Sequence, residues 1–312
     1  LLLKNLGYGA GQPHIRPQEI KHLPIFIPQA TIVKKIVNII NEANSLVKES
    51  EKFYSQAENL LLEELGLKDF KPRYEKTYTA KLSSAFSAHR IDAEYFQPAY
   101  EEILELVSQN TTLYPLKNIL DFRRGVFISP NYYTEQKTKR PYIRIKELTG
   151  KVGIDESKVI YIRDEYMENE ANKLYTNDLV IAIIGDTIGK TNLLMEELSG
   201  GFCSNNTGRL RIKYKDQVLP EYLEILFQSI VIQSQIEKKK TQTGQPKISD
   251  AEIKSLLIPI LPLSTQQKIA SLVQQSHEAR KKVKELLEVA KRAVEIAIEK
   301  NEKEALDYIS KL

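Results

Sequence analysis

The chain has 312 residues, enough for about two domains and a sizeable core. Its 45 Lys and Arg against 41 Asp and Glu leave a net charge of +4, which permits a polyanionic partner without establishing one. A single cysteine, Cys203, excludes an internal disulfide and suits a reducing, cytoplasmic setting, and no apolar run approaches the ~20 residues of a membrane span.

From the N-terminus, Leu-Leu-Leu in place of Met reads as the start of a fragment, and Lys4, Gly7 and Gly9 interrupt the apolar opening before it forms a signal peptide. At Gly11 the stretch "GQPHIRPQEIKHLPIFIP" begins, and it returns at Gly244 as "GQPKISDAEIKSLLIPILP". Gly-Gln-Pro, Ile15 with Ile248, Glu-Ile-Lys at 19–21 and 252–254, Leu23 with Leu256 and Ile25 with Ile258 coincide at one offset. The same offset extends to Lys35-Ile36 and Lys268-Ile269. Chance does not easily hold one offset across a loop, a strand and a helix start, so the chain is read as two copies of one unit, the first cut short on its N-terminal side.

In each copy a proline-bounded strand leads into a long helix. The first is expected from Ala30 to Leu65, stopped by Gly66. Its apolar positions fall into heptad rows: Ile32, Ile39, Leu46, Phe53, Leu60 and Ile36, Ala43, Ser50, Ala57. The second is expected to start after Ser264-Thr265, with Ser264 as N-cap, and to reach at least Ile298. Its rows are Leu272, Ala279, Leu286, Ala293 and Ile269, Ser276, Val283, Ala290, Ala297. Alanine and serine in narrow seams with charged flanks predict that the two helices pack on each other as an antiparallel, coiled-coil-like rod.

Between them, Lys68 to Pro72 is a polar linker, and residues 90–109 read as an extended lead-in and an amphipathic helix. Short β runs follow from Leu116 to Lys215: "VFIS", "PYIRI", "KVIYI", "DLVIAII", "TNLLM" and "GRLRIKY". Residues 220–240 return to helix behind Pro220. The fold class is therefore α+β, a mixed β domain plus the two long helices.

"VIAIIGDTIGKTN" suggests a phosphate-binding loop, but Gly185 and Gly189 are separated by one residue too few, and no helix follows before Gly200-Gly201. A hairpin, with both glycines in the turn, is the better reading. No nucleophile–histidine pair, methyltransferase loop or metal-ligand spacing is visible, and His14, His22, His89 and His277 lie far apart. Asp92, Glu94 and Asp186 read as solvated or turn-capping carboxylates. Catalysis has no visible home in this chain.

Cationic and amide side chains instead collect in loops. The candidate DNA-contacting residues are Arg123, Arg124, Asn131, Tyr132, Lys137, Lys139, Arg140 and Arg144, then Lys190, then Asn205 and Asn206. "KKKTQTGQPK" adds Lys238, Lys239, Lys240, Thr241, Gln242, Thr243, Gln245 and Lys247. Arg and Lys suit phosphates and guanine edges, while Asn and Gln suit adenine edges.

"RIDAEYFQPAYEEI", "RRGVFISPNYY", "PYIRIKEL", "NDLVIAIIGDTIGKTNLL", "SNNTGRLRI" and the closing "TGQPKISDAEIKSLLIPILPLSTQQKIASLV" occur in the order found in specificity subunits of type I restriction–modification enzymes, and the chain resembles that family over about residues 11–300. The resemblance implies a remnant of a first target-recognition domain at 1–28, a conserved spacer helix at 29–67, a second target-recognition domain at 68–262 and a second conserved helix at 263–312. It implies a non-catalytic subunit that reads one half of a bipartite double-stranded DNA target. Two methyltransferase subunits, which carry S-adenosylmethionine, and a restriction–translocase subunit would be its partners, with no cofactor bound by the chain itself and no membrane. Because most of the first recognition domain is absent, either an upstream part completes the reader or a half-length protein dimerises. The alternative is the C-terminal specificity portion of a single-chain restriction–methylation enzyme.

Overall fold

The computed structural model describes residues 16–21, 25–241 and 244–311. The chain divides into two compact units, one holding the residues up to Leu46 with Lys281 onward, the other Val47 to Arg280. The long helices, Ala30–Glu64 and Leu263–Glu299, each contribute to both. Among the described residues no helix is long and apolar enough to cross a membrane.

In the first unit Ile32 packs with Ala297 and Ala305, and Ile39 with Ala290, Ala293 and Ile309. Rising numbers on one helix meet falling numbers on the other, so the pair is antiparallel. The second long helix ends at Glu299, and a further helix, Glu302–Ile309, covers the seam. Asn301 caps that helix by accepting the Glu304 N–H at 2.9 Å, and Glu302 accepts the Gln29 N–H at 2.8 Å.

In the second unit the helices meet through a pair of serines. Ser276 Oγ donates to the Ser50 carbonyl at 2.8 Å, the two hydroxyls are 2.9 Å apart, and both residues are fully buried. Small residues let the backbones come this close, and hydroxyls that satisfy each other remove the cost of burying them. Further along, Ala57, Leu61 and Leu65 enter the domain core, so Leu61 is buried where the heptad row placed Leu60. There the helix packs on a broad core instead of a narrow seam. Gly66 then ends it at φ 75°, with the Leu67 N–H reaching the Leu62 carbonyl at 2.7 Å and Gly66 reaching Glu63 at 3.1 Å, a Schellman turn. The second helix begins at Leu263, one residue before the expected cap. Pro262 supplies the carbonyl that Thr265 and Gln266 N–H groups use, so Ser264 lies inside the first turn.

Among its described residues the body carries ten strands: β1 Leu113–Pro115, β2 Leu120–Arg124, β3 Tyr133–Thr134, β4 Pro141–Ile143, β5 Ile160–Ile162, β6 Leu179–Ala182, β7 Thr191–Leu193, β8 Phe202–Cys203, β9 Thr207–Ile212 and β10 Leu257–Pro259. They form an antiparallel sheet β2-β9-β6-β7, a mixed sheet β3-β5-β4-β8 and the pair β1-β10. β6 is buried on both faces: Leu179 and Ile181 join a core with Leu210 and Phe227, whereas Val180 and Ala182 join one with Ile143 and Leu198. A strand covered on both sides reads as a continuous apolar run, as "LVIA" does.

Two of the elements expected within the body take a different form. "VFIS" forms no strand; only Val126 makes an isolated bridge, to Ser204. Residues 220–240 form two helices, Pro220–Gln228 and Ile230–Lys239. The break is at Ser229, whose N–H and hydroxyl both donate to the Leu226 carbonyl while its backbone turns extended.

The repeat is structural as well as sequential. The short helices Pro17–Ile20 and Asp250–Lys254, and the long helices from Ala30 and Leu263, start at the same offset. The strands differ. Tyr114 of β1 pairs with Ile258, which is fully buried, whereas Ile25–Pro28 is irregular and Ile25 is 82% exposed. The first copy lacks a pairing strand among the described residues, and a strand without a partner does not form.

Candidate nucleic-acid interface

The sheet β2-β9-β6-β7 places its loops at one end. β2 finishes at Arg124 opposite Gly208, β9 starts at Thr207 opposite Ala182, and β6 turns into β7 through residues 183–190. The turn is the expected hairpin: Ala182 and Thr191 flank it, Gly189 N–H donates to the Ala182 carbonyl at 2.9 Å, and Ala182 N–H to Lys190 at 2.8 Å. Gly185 and Gly189 sit at φ 88° and 89°, a backbone region glycine enters without strain. It is a strand–turn–strand: the turn leads into β7 and not into a helix, so it lacks the geometry of a phosphate-binding loop.

Three further segments lock onto this end. The Gly-Gln-Pro-Lys loop docks on the hairpin, with Gly185 N–H donating to the Pro246 carbonyl at 2.9 Å and Ile248 N–H to Ile183 at 3.2 Å. Ile183 N–H donates to the Asn206 carbonyl at 3.1 Å, tying in the turn before β9. Gly125 N–H donates to the Thr207 carbonyl at 2.9 Å, and a Cβ at Gly125 would lie 2.2 Å from the Ser204 carbonyl oxygen. Only glycine permits that approach.

Arg124, Lys190, Asn205, Asn206, Thr241, Gln245 and Lys247 are thereby brought to one edge. Arg124 donates through Nε and Nη2 to a single Asp250 oxygen, Oδ1, at 3.0 and 2.7 Å. Asn205, Asn206 and Lys247 are exposed. Neither Lys190 nor Lys247 forms an ion pair among the described residues. Gln242 and Thr243 lie outside the described residues.

The structure puts the remaining candidates elsewhere. Asn131, Tyr132, Lys137 and Lys139 are exposed on the segments flanking β3, in the smaller sheet. Arg140 donates to the carbonyls of Arg163, Asp164 and Tyr166 and stacks over Phe202, 5.3 Å from its ring centre. Arg144 pairs with the fully buried Glu147 at 2.6 Å, an internal contact that fixes a turn. Arg123 faces Arg209 across β2 and β9. Burial and the neighbouring Arg211 lower the Arg209 pKa, while Asp121 and Asp178 hold this like-charge ladder together.

The lysine run is the largest difference from the sequence reading. Lys238, Lys239 and Lys240 end the helix Ile230–Lys239 and are half-buried. Lys238 pairs with Glu101 and lies over the Tyr95 ring, and Lys240 pairs with Glu237 at 2.7 Å. Burial, then the charge of Lys238, lower the Lys239 pKa. Arg90 donates to the Lys239 and Lys240 carbonyls at 2.9 and 3.0 Å, closing the helix. Cations at a helix C-terminus complement its dipole, which gives this run a structural task.

One residue at the sheet end went unread in the sequence. Phe127 is 69% exposed between half-buried Val126 and fully buried Ile128. The alternation in "VFIS" carried the signal, because it aims Phe127 away from the side that takes its neighbours.

An α+β body with two exposed asparagines, the exposed Lys247 and the half-buried Lys190 at one end of an antiparallel sheet, in a chain with two long helices, has the chemistry of a polyanion-binding protein. The chain belongs to the family of type I restriction modification DNA specificity domains, which it matches over residues 109–291, more than half its length. Its function is DNA recognition in a restriction–modification system, the specificity component and not the catalytic one. No curated protein matches it. Among solved structures it is similar to a type I restriction–modification S subunit from M. genitalium, at 15% identity and a TM-score of 0.47 over 93% of this chain and 67% of that one. The HsdS subunit from Thermoanaerobacter tengcongensis gives 13% identity and 0.40, over 99% and 65%. A structure of the type I R-M system in assembly and conformational transition gives 13% and 0.41, over 96% and 64%. The chain spans about two thirds of the length of these proteins.

Proposed function

We propose that the body at residues 68–262 reads one half of a split DNA target and that the long helices space this reader and receive methyltransferase subunits. The repeat carries the reading: the unit of short helix and long helix occurs twice at one offset, which suits a frame built to hold two similar readers. Lys190 and Lys247 would neutralise phosphates and release counterions, and the Asn205 and Asn206 amides would reach adenine edges in the major groove. Two methyltransferase subunits carrying S-adenosylmethionine would complete a modification complex, and a restriction–translocase subunit would add cleavage. The setting is the cytoplasm. The second half-site falls to a second reader, supplied by the same polypeptide or by another copy.

The test is reconstitution. The purified chain should bind duplex DNA weakly and with strong salt dependence, and should methylate nothing until methyltransferase subunits are added. Methylation by the isolated chain would overturn the proposal.

A further inference from the structure

Phe127 is exposed on a loop that is otherwise fixed. Gly125 N–H bonds the Thr207 carbonyl at 2.9 Å, and Val126 N–H bonds Cys203 at 2.8 Å. Tyr142 Oη donates to the Val126 carbonyl at 2.8 Å, and Tyr133 Oη to the Ile128 carbonyl at 2.9 Å. Ile128 is sealed in a core with Tyr142, Ile162 and Phe202. The loop therefore cannot turn the ring inward without giving up these contacts. An aromatic ring left in water forgoes the free energy of its burial. Presented on a rigid support, it loses little freedom when it meets a partner.

Its surroundings select the partner. The parallel bridge between Val126 and Ser204 makes Phe127 and Asn205 the next residues along their two segments. Asn205 and Asn206 are exposed, and their side-chain amides form no hydrogen bond among the described residues. Arg124 closes β2 at this end, Lys190 and Lys247 lie on the loops locked to it, and Arg124 donates twice to one oxygen of the Asp250 carboxylate. An apolar protein surface would leave these amides and cations unpaired, whereas a DNA groove pairs them.

We infer that Phe127 is a specificity-determining residue, whose ring packs on the 5-methyl group of a thymine in the major groove beside an adenine edge read by Asn205. Apolar contact with the thymine methyl is one of the discriminating interactions that groove offers, and Asn is the complement of adenine N6 and N7. The inference rests on the DNA-reading role given to the sheet end above.

The test uses the chain assembled with its methyltransferase subunits and a pool of randomised duplexes. The wild-type complex should select thymine at one position. Replacing that thymine by uracil, which lacks only the methyl, should weaken its binding about four- to tenfold. Phe127→Ala should lose both the selection at that position and the thymine–uracil difference, with its melting temperature and salt slope unchanged; Phe127→Leu should keep part of both. If Phe127→Ala keeps the wild-type selection and the same thymine–uracil difference, the inference is wrong. If it weakens binding to every duplex alike or melts early, the residue is structural and the inference is equally wrong. A wild-type complex that selects no sequence at all would instead sink the reading of the sheet end.

Discussion

His277 of the second long helix and Glu224 of the Pro220–Gln228 helix meet at 2.7 Å, with Glu224 fully buried and the His277 side chain 9% exposed. The other Glu224 oxygen accepts the Leu193 N–H of β7 at 3.2 Å. From the first long helix, Tyr54 donates to Gln228 at 2.5 Å, and Gln228 donates to the Thr191 carbonyl at 2.8 Å. Both long helices are thus connected by polar contacts, through one short helix, to the strand that leaves the Gly185–Gly189 hairpin.

Burial alone would lower the His277 pKa, but the hydrogen bond and charge of Glu224 outweigh it and the net shift is upward from 6.5. A raised folded value means the folded state holds the proton more tightly. Its contribution to stability is full below about pH 6.5 and disappears as pH rises through the folded value. Wild type should therefore exceed His277→Gln in denaturant stability by more at about pH 6 than at about pH 8.5. A difference independent of pH would show that the pair is not ionic. His277→Ala, which leaves Glu224 buried without its partner, should cost about 3–5 kcal/mol.

The serine seam predicts a steric limit. Ser276→Leu places extra carbons against Ser50 where both are fully buried. It should destabilise the protein by about 1–3 kcal/mol or more, because a close helix pair cannot move apart locally. Ser276→Ala should cost about 1–3 kcal/mol, for the hydrogen bonds left unmade around Ser50. Urea unfolding measures both losses, and a leucine variant as stable as wild type would contradict the packing described.

Gly189→Ala tests the hairpin. The new Cβ would sit at φ 89° and 2.6 Å from the Gln233 amide oxygen. Strain at such a position is of order 1–3 kcal/mol. The variant should lose that much stability and weaken DNA binding together, whereas an unchanged denaturation midpoint would show that the turn tolerates a side chain.

Salt dependence separates working cations from structural ones. Lys247→Gln, and separately Lys190→Gln, should each reduce the slope of log K against log salt by about one. Replacing Lys238, Lys239 and Lys240 by Gln should change the slope less than either and lower the melting temperature instead, since these lysines are committed to Glu101, Glu237 and the helix end. A slope loss of about three in the triple variant would restore the lysine run as the phosphate contact.

The long helices, their antiparallel pairing and the hairpin at Gly185–Gly189 were legible in the sequence, because heptad spacing and a glycine turn are local signals. β2 was not, since the outward Asp121 and Arg123 and the terminal Arg124 hide a strand of which only Leu120 and Phe122 enter the core. The sheet end was legible in part. Asn205, Lys190 and Lys247 stand in separate loops, and the long-range bonds through Ile183, Gly185 and Thr207 decide that they share one edge. The lysine run misled for the same reason: Glu101 and Arg90, which occupy it, lie more than a hundred residues away.

Methylation sequencing of DNA modified by the assembled complex shows whether this sheet end reads one half of a split target. Wild type is compared with a variant carrying Phe127→Ala, Asn205→Ala and Asn206→Ala. The methylated sequence should relax at one to three positions within one half-site, with the other half and the spacing between them unchanged. An identical recognition sequence in the variant, or a change confined to the spacing, would contradict it.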